Sequence, residues 1–111
     1  MKSSVRDHGD IRVIELSGKI TIGGGDVKVR ELVSQALDDD KKNILFDLGG
    51  VTAIDSSGIG EMVACYTTVT KRGGQLKLMH LSPKITDILQ VTQLITVFDV
   101  FDDEREALGR F

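Results

Sequence analysis

The sequence has little that would support a disulfide, a membrane span or a secretory leader. Only one of its 111 residues is cysteine, Cys65, so an internal disulfide is excluded and a reducing compartment is expected. No apolar run approaches the roughly 18 residues that cross a bilayer, and the N-terminus lacks the apolar segment of a signal peptide. We therefore expect a cytoplasmic protein.

The sequence also has no excess of positive charge. The chain has 14 Lys and Arg against 17 Asp and Glu, a net charge of -3, and its basic residues are scattered rather than clustered. Neither nucleic acid nor a membrane surface is expected as a partner, because both attract clustered basic residues. A hydrophobic fraction of 41% is enough for one globular domain, and the length is too short for two. We expect a single domain over residues 1–111.

The motifs of common enzyme classes are missing. Neither serine of the Ser56-Ser57 pair has the glycine two positions earlier that G-x-S-x-G requires, and the only histidines, His8 and His80, give a triad no good base. The glycines at 23–25 are not followed by Lys-Ser or Lys-Thr, and Gly58-Ile59-Gly60 lacks the third glycine of a dinucleotide fingerprint. Two histidines and one cysteine in no ligand spacing do not predict a metal site. We expect no enzyme activity and no cofactor.

The chain does contain a regular alternation of strand and helix patterns. Strands are predicted at 11–16, 43–48, 75–81 and 95–101. The residues before a turn at 8–10 are expected to pair with the strand at 11–16. Helices are predicted from 26 to before 38, from 57 to 71, from 83 to 92 and after 102. Strands joined through helices run mostly parallel. The pattern predicts an α/β fold: a mixed, mostly parallel sheet of four to five strands with about four helices.

Three connections in this pattern have their own signals. The segment 20–25 contains three consecutive glycines, which predict a mobile loop. The Gly49-Gly50 pair predicts a turn that ends the central strand at 48. Ser82-Pro83 predicts a helix start, with serine as the cap and proline at the first helical position.

Residues 51–60 join the central strand to an amphipathic helix through a polar segment. Asp55, Ser56 and Ser57 are residue types that cap helix N-termini, which by pattern alone is their commonest role. We expect one of the two serine hydroxyls to cap the helix and the other to stay free. Gly58 and Gly60 weaken a helix by about 0.5–1 kcal/mol each, which favours a second purpose, a bare surface that a partner's active site can approach.

The hexapeptide Asp55 to Gly60 resembles the Asp-Ser-(Ser/Thr)-Gly-(Leu/Ile/Val)-Gly signature of STAS domains, specifically the bacterial anti-sigma factor antagonists. Leu16-Ser17-Gly18, Gly73-Gly74 and Ser82-Pro83 also fall where that family has comparable features. The resemblance implies that Ser56 is the phosphorylated residue, and we then expect the hydroxyl of Ser57 to be the one that caps the helix. It implies as partners an anti-sigma factor with serine kinase activity, which would supply nucleotide and magnesium, and a serine phosphatase.

The resemblance also implies a partner-binding surface around Ser56. Its residues would be Asp55, Ser57, Gly58, Ile59 and Gly60 with Thr21, Gly23 and Gly24 of the loop that lies near the phosphorylation site in the family fold. Thr21 is a departure, because the antagonists commonly carry aspartate there, and it leaves recognition by the kinase open. The alternative is a STAS subunit of a lipid-transport or stress-signalling complex that has no phosphorylation switch.

Overall fold

The computed structural model describes all 111 residues, as one five-stranded sheet with helices on both faces. The elements are β1 Lys2–His8, β2 Ile11–Ile20, α1 Gly25–Asp38, β3 Asn43–Ile54, α2 Ser56–Lys71, β4 Gln75–Met79, α3 Pro83–Val91, a 3₁₀ turn Leu94–Thr96, β5 Asp99–Phe101 and α4 Glu104–Leu108. The strand order is β1-β2-β3-β4-β5, with β1 antiparallel to β2 and the remaining pairs parallel. The predicted α/β fold with its mixed, mostly parallel sheet is confirmed. None of the helices is long and apolar enough to cross a membrane.

The central strand β3 supplies the core on both faces of the sheet. Phe46 lies in the larger apolar cluster, under α1, α2 and α3, while its neighbour Leu45 points into the smaller cluster. That smaller cluster is covered by α4, whose Ala107 is fully buried. Burial of successive residues on opposite faces explains why residues 44–46 form a continuous apolar run rather than an alternating one.

The β3 strand does not end where the glycine pair predicted. It continues through Gly49-Gly50 to Ile54, so the predicted turn is wrong. The pairing of β2 with β3 shifts register here, between Glu15 and Ser17, and a Cβ atom at Gly50 would lie 2.6 Å from the Cβ atom of Ser17. The glycine therefore permits a close approach of two strands at a bulge.

Two other strands are shorter than predicted. The strand that begins at Gln75 ends at Met79, because His80 adopts the left-handed conformation with φ 63° and cannot continue it. The last strand covers only Asp99–Phe101, since the residues before it form the 3₁₀ turn. The helix starting at Pro83 is confirmed, and Ser82 caps it by accepting a hydrogen bond from the amide of Ile85 at 3.3 Å.

The connection between β2 and α1 is a compact turn instead of the expected mobile loop. Only residues 21–24 lie between the two elements. The carboxylate of Asp26 accepts from the amides of Gly24 at 3.2 Å and Val27 at 2.8 Å, and the amide of Asp26 donates to the carbonyl of Thr21 at 3.2 Å. The glycine run predicted an unstructured segment. The sequence did not show that Asp26, which follows this run, is buried and bonds to the turn.

Candidate functional site

Ser56 lies at the edge of the sheet where the parallel strands β2 and β3 end. The two strands end side by side, with Ile20 paired to Ile54, and Ser56 is the first residue of the helix that follows. Ser56 is exposed and Ser57 is half-buried. In open α/β sheets, ligands and partners bind beyond the carboxyl ends of the strands. The structure thus places the 51–60 segment at the expected edge, with Ser56 exposed.

Asp55, not a serine, caps α2. Its backbone is extended, with φ -105° and ψ -176°, and its Oδ1 atom accepts a hydrogen bond from the amide of Gly58 at 2.9 Å. The prediction that Ser57 caps the helix is therefore wrong. A cap residue has non-helical backbone angles, and the chain is already helical from Ser56 onward. Neither serine hydroxyl is needed for the cap.

The second oxygen of Asp55 binds the turn between β2 and α1. Its Oδ2 atom accepts a hydrogen bond from the amide of Ile22 at 3.0 Å. The hydrogen bonds from Ile22 and then Gly58 lower the pKa of Asp55 below its usual range, because both stabilise the ionised carboxylate. Asp55 therefore joins residues 21–24 to the start of α2 and brings the two predicted parts of the site together.

Gly58 and Gly60 have different surroundings. Gly58 is buried, and a Cβ atom there would overlap the carbonyl oxygen of Ile20, the last residue of β2. The interpretation of Gly58 as a bare surface is wrong, since its missing side chain allows α2 to pack against the strand. Gly60 is exposed with open space around its Cβ position, as a bare surface requires. Gly25 repeats the role of Gly58 at the start of α1, against the carbonyl of Lys19.

The remaining predicted residues lie on the two segments that Asp55 joins. Gly23 and Gly24 are exposed in the turn, Thr21 is half-buried beside them, and Ile59 is half-buried in the first turn of α2. Sequence reasoning missed Ile22, whose side chain is 74% exposed in the same turn. The available signal was a large apolar residue next to the glycine run, outside the strand pattern.

Charged groups lie farther along the helices. Arg30 of α1 and Glu61 of α2 form an ion pair with Nε to Oε1 at 3.0 Å, which bridges the two helices one turn beyond the serines. The side chain of His80 forms its hydrogen bond with Asp47, with Nδ1 to Oδ1 at 3.0 Å, and not with either serine. No group of three or more histidine, cysteine, aspartate or glutamate side chains is placed to hold a metal ion. The site is thus an exposed hydroxyl next to the ionised carboxylate of Asp55.

A family model described as the STAS domain matches residues 2–107 of the chain. The chain belongs to the STAS domain family. Among curated relatives, this STAS domain is similar to an anti-sigma-B factor antagonist of Bacillus subtilis, with 30% identity over 86% of this chain and 84% of the relative. It is also similar to an anti-sigma F factor antagonist of Paenibacillus polymyxa, with 23% identity over 97% of this chain and 92% of the relative. The family assignment therefore extends to the anti-sigma factor antagonists.

Solved structures show the same fold. A Thermotoga maritima protein superposes with a TM-score of 0.89 at 20% identity, covering 96% of this chain and 92% of the other. The Bacillus cell fate determinant SpoIIAA in its phosphorylated form superposes with a TM-score of 0.75 at 21% identity, covering 98% of each chain. At such identities the likeness establishes the fold of the STAS domain and nothing finer.

Proposed function

We propose that this STAS domain binds an anti-sigma factor that is also a serine kinase, frees a sigma factor by doing so, and is released when Ser56 is phosphorylated. The observation that carries the proposal is the exposed Ser56 at the start of α2, within Asp55-Ser56-Ser57-Gly58, where Asp55 supplies the cap and the hydroxyl is left free. The names of the two curated relatives support an anti-sigma factor as the partner.

Ser56 is the better phosphate acceptor of the two serines because of its exposure. A kinase must bring the γ-phosphate of ATP into line with the attacking hydroxyl, so the hydroxyl has to be reachable. Ser56 is exposed, whereas Ser57 is half-buried one position into the helix. In the structure this difference in exposure favours Ser56, since capping occupies neither hydroxyl.

Phosphorylation would act on the interface and leave the fold intact. A phosphate adds about -1.5 to -2 charges at pH 7. Asp55 beside it already carries a negative charge, which its two amide hydrogen bonds stabilise by lowering its pKa. The N-terminus of α2 accommodates the phosphate through its dipole and free amides. A partner surface that fitted the free hydroxyl and the single charge of Asp55 then meets a strongly negative site, a mismatch of several kcal/mol. Each 1.4 kcal/mol is tenfold in affinity.

The partner-binding surface proposed here has two parts. One is the turn that contains Thr21, Gly23 and Gly24, and the other is the first turn of α2 with Ser57, Ile59 and Gly60. Asp55 and Gly58 support this surface from below, through the hydrogen bond to Ile22 and the contact with Ile20. Nucleotide and magnesium belong to the kinase, and a serine phosphatase would restore the free hydroxyl.

Phosphopeptide mapping tests the proposal. The ATPase that co-purifies with the chain is identified by mass spectrometry, expressed alone, and incubated with the wild-type chain and Mg-ATP. We expect one phosphate, on Ser56. Ser56→Ala should then bind the kinase whether or not ATP is present, and Ser56→Asp should bind more weakly than the alanine variant, although one charge mimics a phosphate imperfectly.

Ser57→Ala is the matched control, because it removes the neighbouring hydroxyl and leaves Ser56. It should still take up one phosphate and lose binding when ATP is added. Phosphate on Ser57 alone, or on neither serine when the chain binds the kinase, would contradict the proposal and favour a STAS domain without a phosphorylation switch.

A further inference from the structure

The side chain of Ile22 is exposed in a way that folding does not explain. It is 74% exposed, and among the large apolar side chains only Val91 is more exposed. Its backbone amide donates to Asp55, the residue directly before Ser56. The exposed apolar side chain therefore belongs to a residue that Asp55 ties to the segment of Ser56, although it contributes little to the core.

Hydrogen bonds fix both sides of the turn that carries Ile22. Asp55 fixes the amide of Ile22, and Asp26 fixes the far side of the turn through the amides of Gly24 and Val27. Apolar side chains on preorganised backbone lose little conformational entropy when a partner covers them. The turn thus presents Ile22 in a form suited to binding.

Val27 extends the apolar surface toward α2. On α1, Val27 lies three residues before Arg30, and on α2, Ser57 lies four residues before Glu61. Arg30 and Glu61 form the ion pair between the two helices. Residues three and four apart share one face of a helix, so Val27 and Ser57 lie one turn before this ion pair, on the facing sides of the two helices. Val27 is 38% exposed. Ile22 and Val27 therefore flank the serines, and we name them the apolar flank.

We propose that the apolar flank is the specificity-determining contact for the kinase, with Ile22 seated in an apolar recess beside the kinase's nucleotide site. This inference rests on the proposed function. Phosphoryl transfer requires the γ-phosphate to contact the Ser56 hydroxyl, so the kinase surface next to its nucleotide must also cover the residues next to Ser56. Ile22 is one of those residues, and the recess that covers it binds an apolar side chain.

Substitution of Ile22 tests the inference with the kinase that phosphorylates the wild-type chain. Ile22→Ser should raise the KM for the chain about 10- to 100-fold, the effect of no longer burying an isoleucine side chain, with kcat little changed. Ile22→Leu keeps an apolar side chain of equal size and should restore the KM to near the wild-type value. In a Ser56→Ala background, Ile22→Ser should weaken the Kd for the kinase by a similar factor.

Val91→Ser is the matched control. Val91 is 84% exposed, so the same loss of an exposed apolar side chain occurs at the last residue of α3, away from the serines. It should leave KM and Kd unchanged. If the kinase phosphorylates Ser56 but Ile22→Ser behaves like Val91→Ser, the apolar flank is not a contact while the proposed function stands. If the kinase does not phosphorylate the wild-type chain at Ser56, both proposals fail.

Discussion

Gly58 and Gly60 lie two positions apart in α2, and a methyl group should have opposite effects at the two positions. At Gly58 it would overlap the carbonyl oxygen of Ile20, a backbone atom that cannot move without shifting α2 or β2. Overpacking of this kind typically destabilises by about 1–3 kcal/mol. At Gly60 the methyl group enters open space and improves helix propensity by about 0.5–1 kcal/mol.

Urea denaturation of Gly58→Ala and Gly60→Ala checks this pair. We expect the first variant to unfold at lower and the second at higher urea concentration than the wild-type chain. The kinase should nevertheless bind Gly60→Ala less tightly, because the proposed interface uses the bare surface there. Equal shifts in the same direction for both variants would show that burial at Gly58 does not control its role.

The sequence identified these residues more reliably than their roles. The hexapeptide 55–60 located the helix start to within one residue, because capping residue types there precede a helical apolar pattern. It did not distinguish Asp55 from Ser57 as the cap, since the side-chain oxygens of Asp55, Ser56 and Ser57 can each accept a hydrogen bond from a backbone amide. Nor could it separate Gly58 from Gly60, because the difference is a contact with Ile20, which is 38 positions away in the sequence and adjacent only in the folded sheet.

At the scale of elements, β3 is the strand on which the core depends. Its Phe46 is fully buried and is among the largest side chains of the main cluster. Phe46→Ala should destabilise the fold by about 3–5 kcal/mol, because it removes apolar contacts and leaves a cavity. Ser56→Ala should cost about 1 kcal/mol or less, since Asp55 provides the cap and Ser56 is exposed.

Denaturant melts of the two variants measure this order directly. Phe46→Leu is the intermediate control, as it keeps an apolar side chain and should lose less than alanine does. A Ser56→Ala variant as unstable as Phe46→Ala would mean that the serine hydroxyl supports the helix start, and the assignment of Asp55 as the cap would have to be abandoned.

Element types could be predicted from local patterns, but several boundaries could not. The strand around Phe46 and the Ser82 cap depend on nearby residues, and both are visible in the sequence. The continuation of β3 through Gly49-Gly50 depends on how closely β2 approaches, which the sequence does not state. The turn at 21–24 is ordered by Asp26 and Asp55, and the second of these is distant in sequence.

At the scale of the whole molecule, the alternation of strands and helices was sufficient to predict a mostly parallel sheet. It was not sufficient to assign helices to faces. Helices α1, α2 and α3 cover one face, while the five-residue α4 alone packs on the other, over Val13, Leu45 and Met79. Such a short helix has too few residues for a clear periodic pattern, so its position becomes evident only from the cluster that it covers.

A charged cluster ties the antiparallel edge of the sheet to the helix layer. The buried Arg12 of β2 bonds Asp7 of β1, with Nε to Oδ1 at 2.8 Å, and Asp39 at the end of α1, with Nη1 to Oδ2 at 2.8 Å. The guanidinium lowers the pKa of Asp7 and of Asp39 below the usual value of 3.8. Both carboxylates are therefore better stabilised when ionised in the folded chain than in the unfolded chain.

The sign of the resulting pH dependence follows from these lowered values. In the unfolded chain the two carboxylates bind protons near pH 3.8, but in the folded chain they bind them only at lower pH. Their contribution to stability is therefore fully present above that value and is lost as the pH falls through the lower folded pKa values. Asp55, whose pKa the amides of Ile22 and Gly58 lower, adds to the effect in the same direction. We expect the free energy of unfolding to decrease below about pH 4.

Urea melts of the wild-type chain and of Arg12→Met, at about pH 6 and about pH 3, isolate the part due to Arg12. The methionine variant keeps a long side chain and lacks the cation, so Asp7 and Asp39 lose the hydrogen bonds that lower their pKa values most. It should be less stable at the higher pH, and its free energy of unfolding should change less between the two pH values. Arg110→Met is the control, because Arg110 is exposed and in none of the ion pairs. If Arg12→Met kept the full wild-type pH dependence, Arg12 would not govern the acid sensitivity.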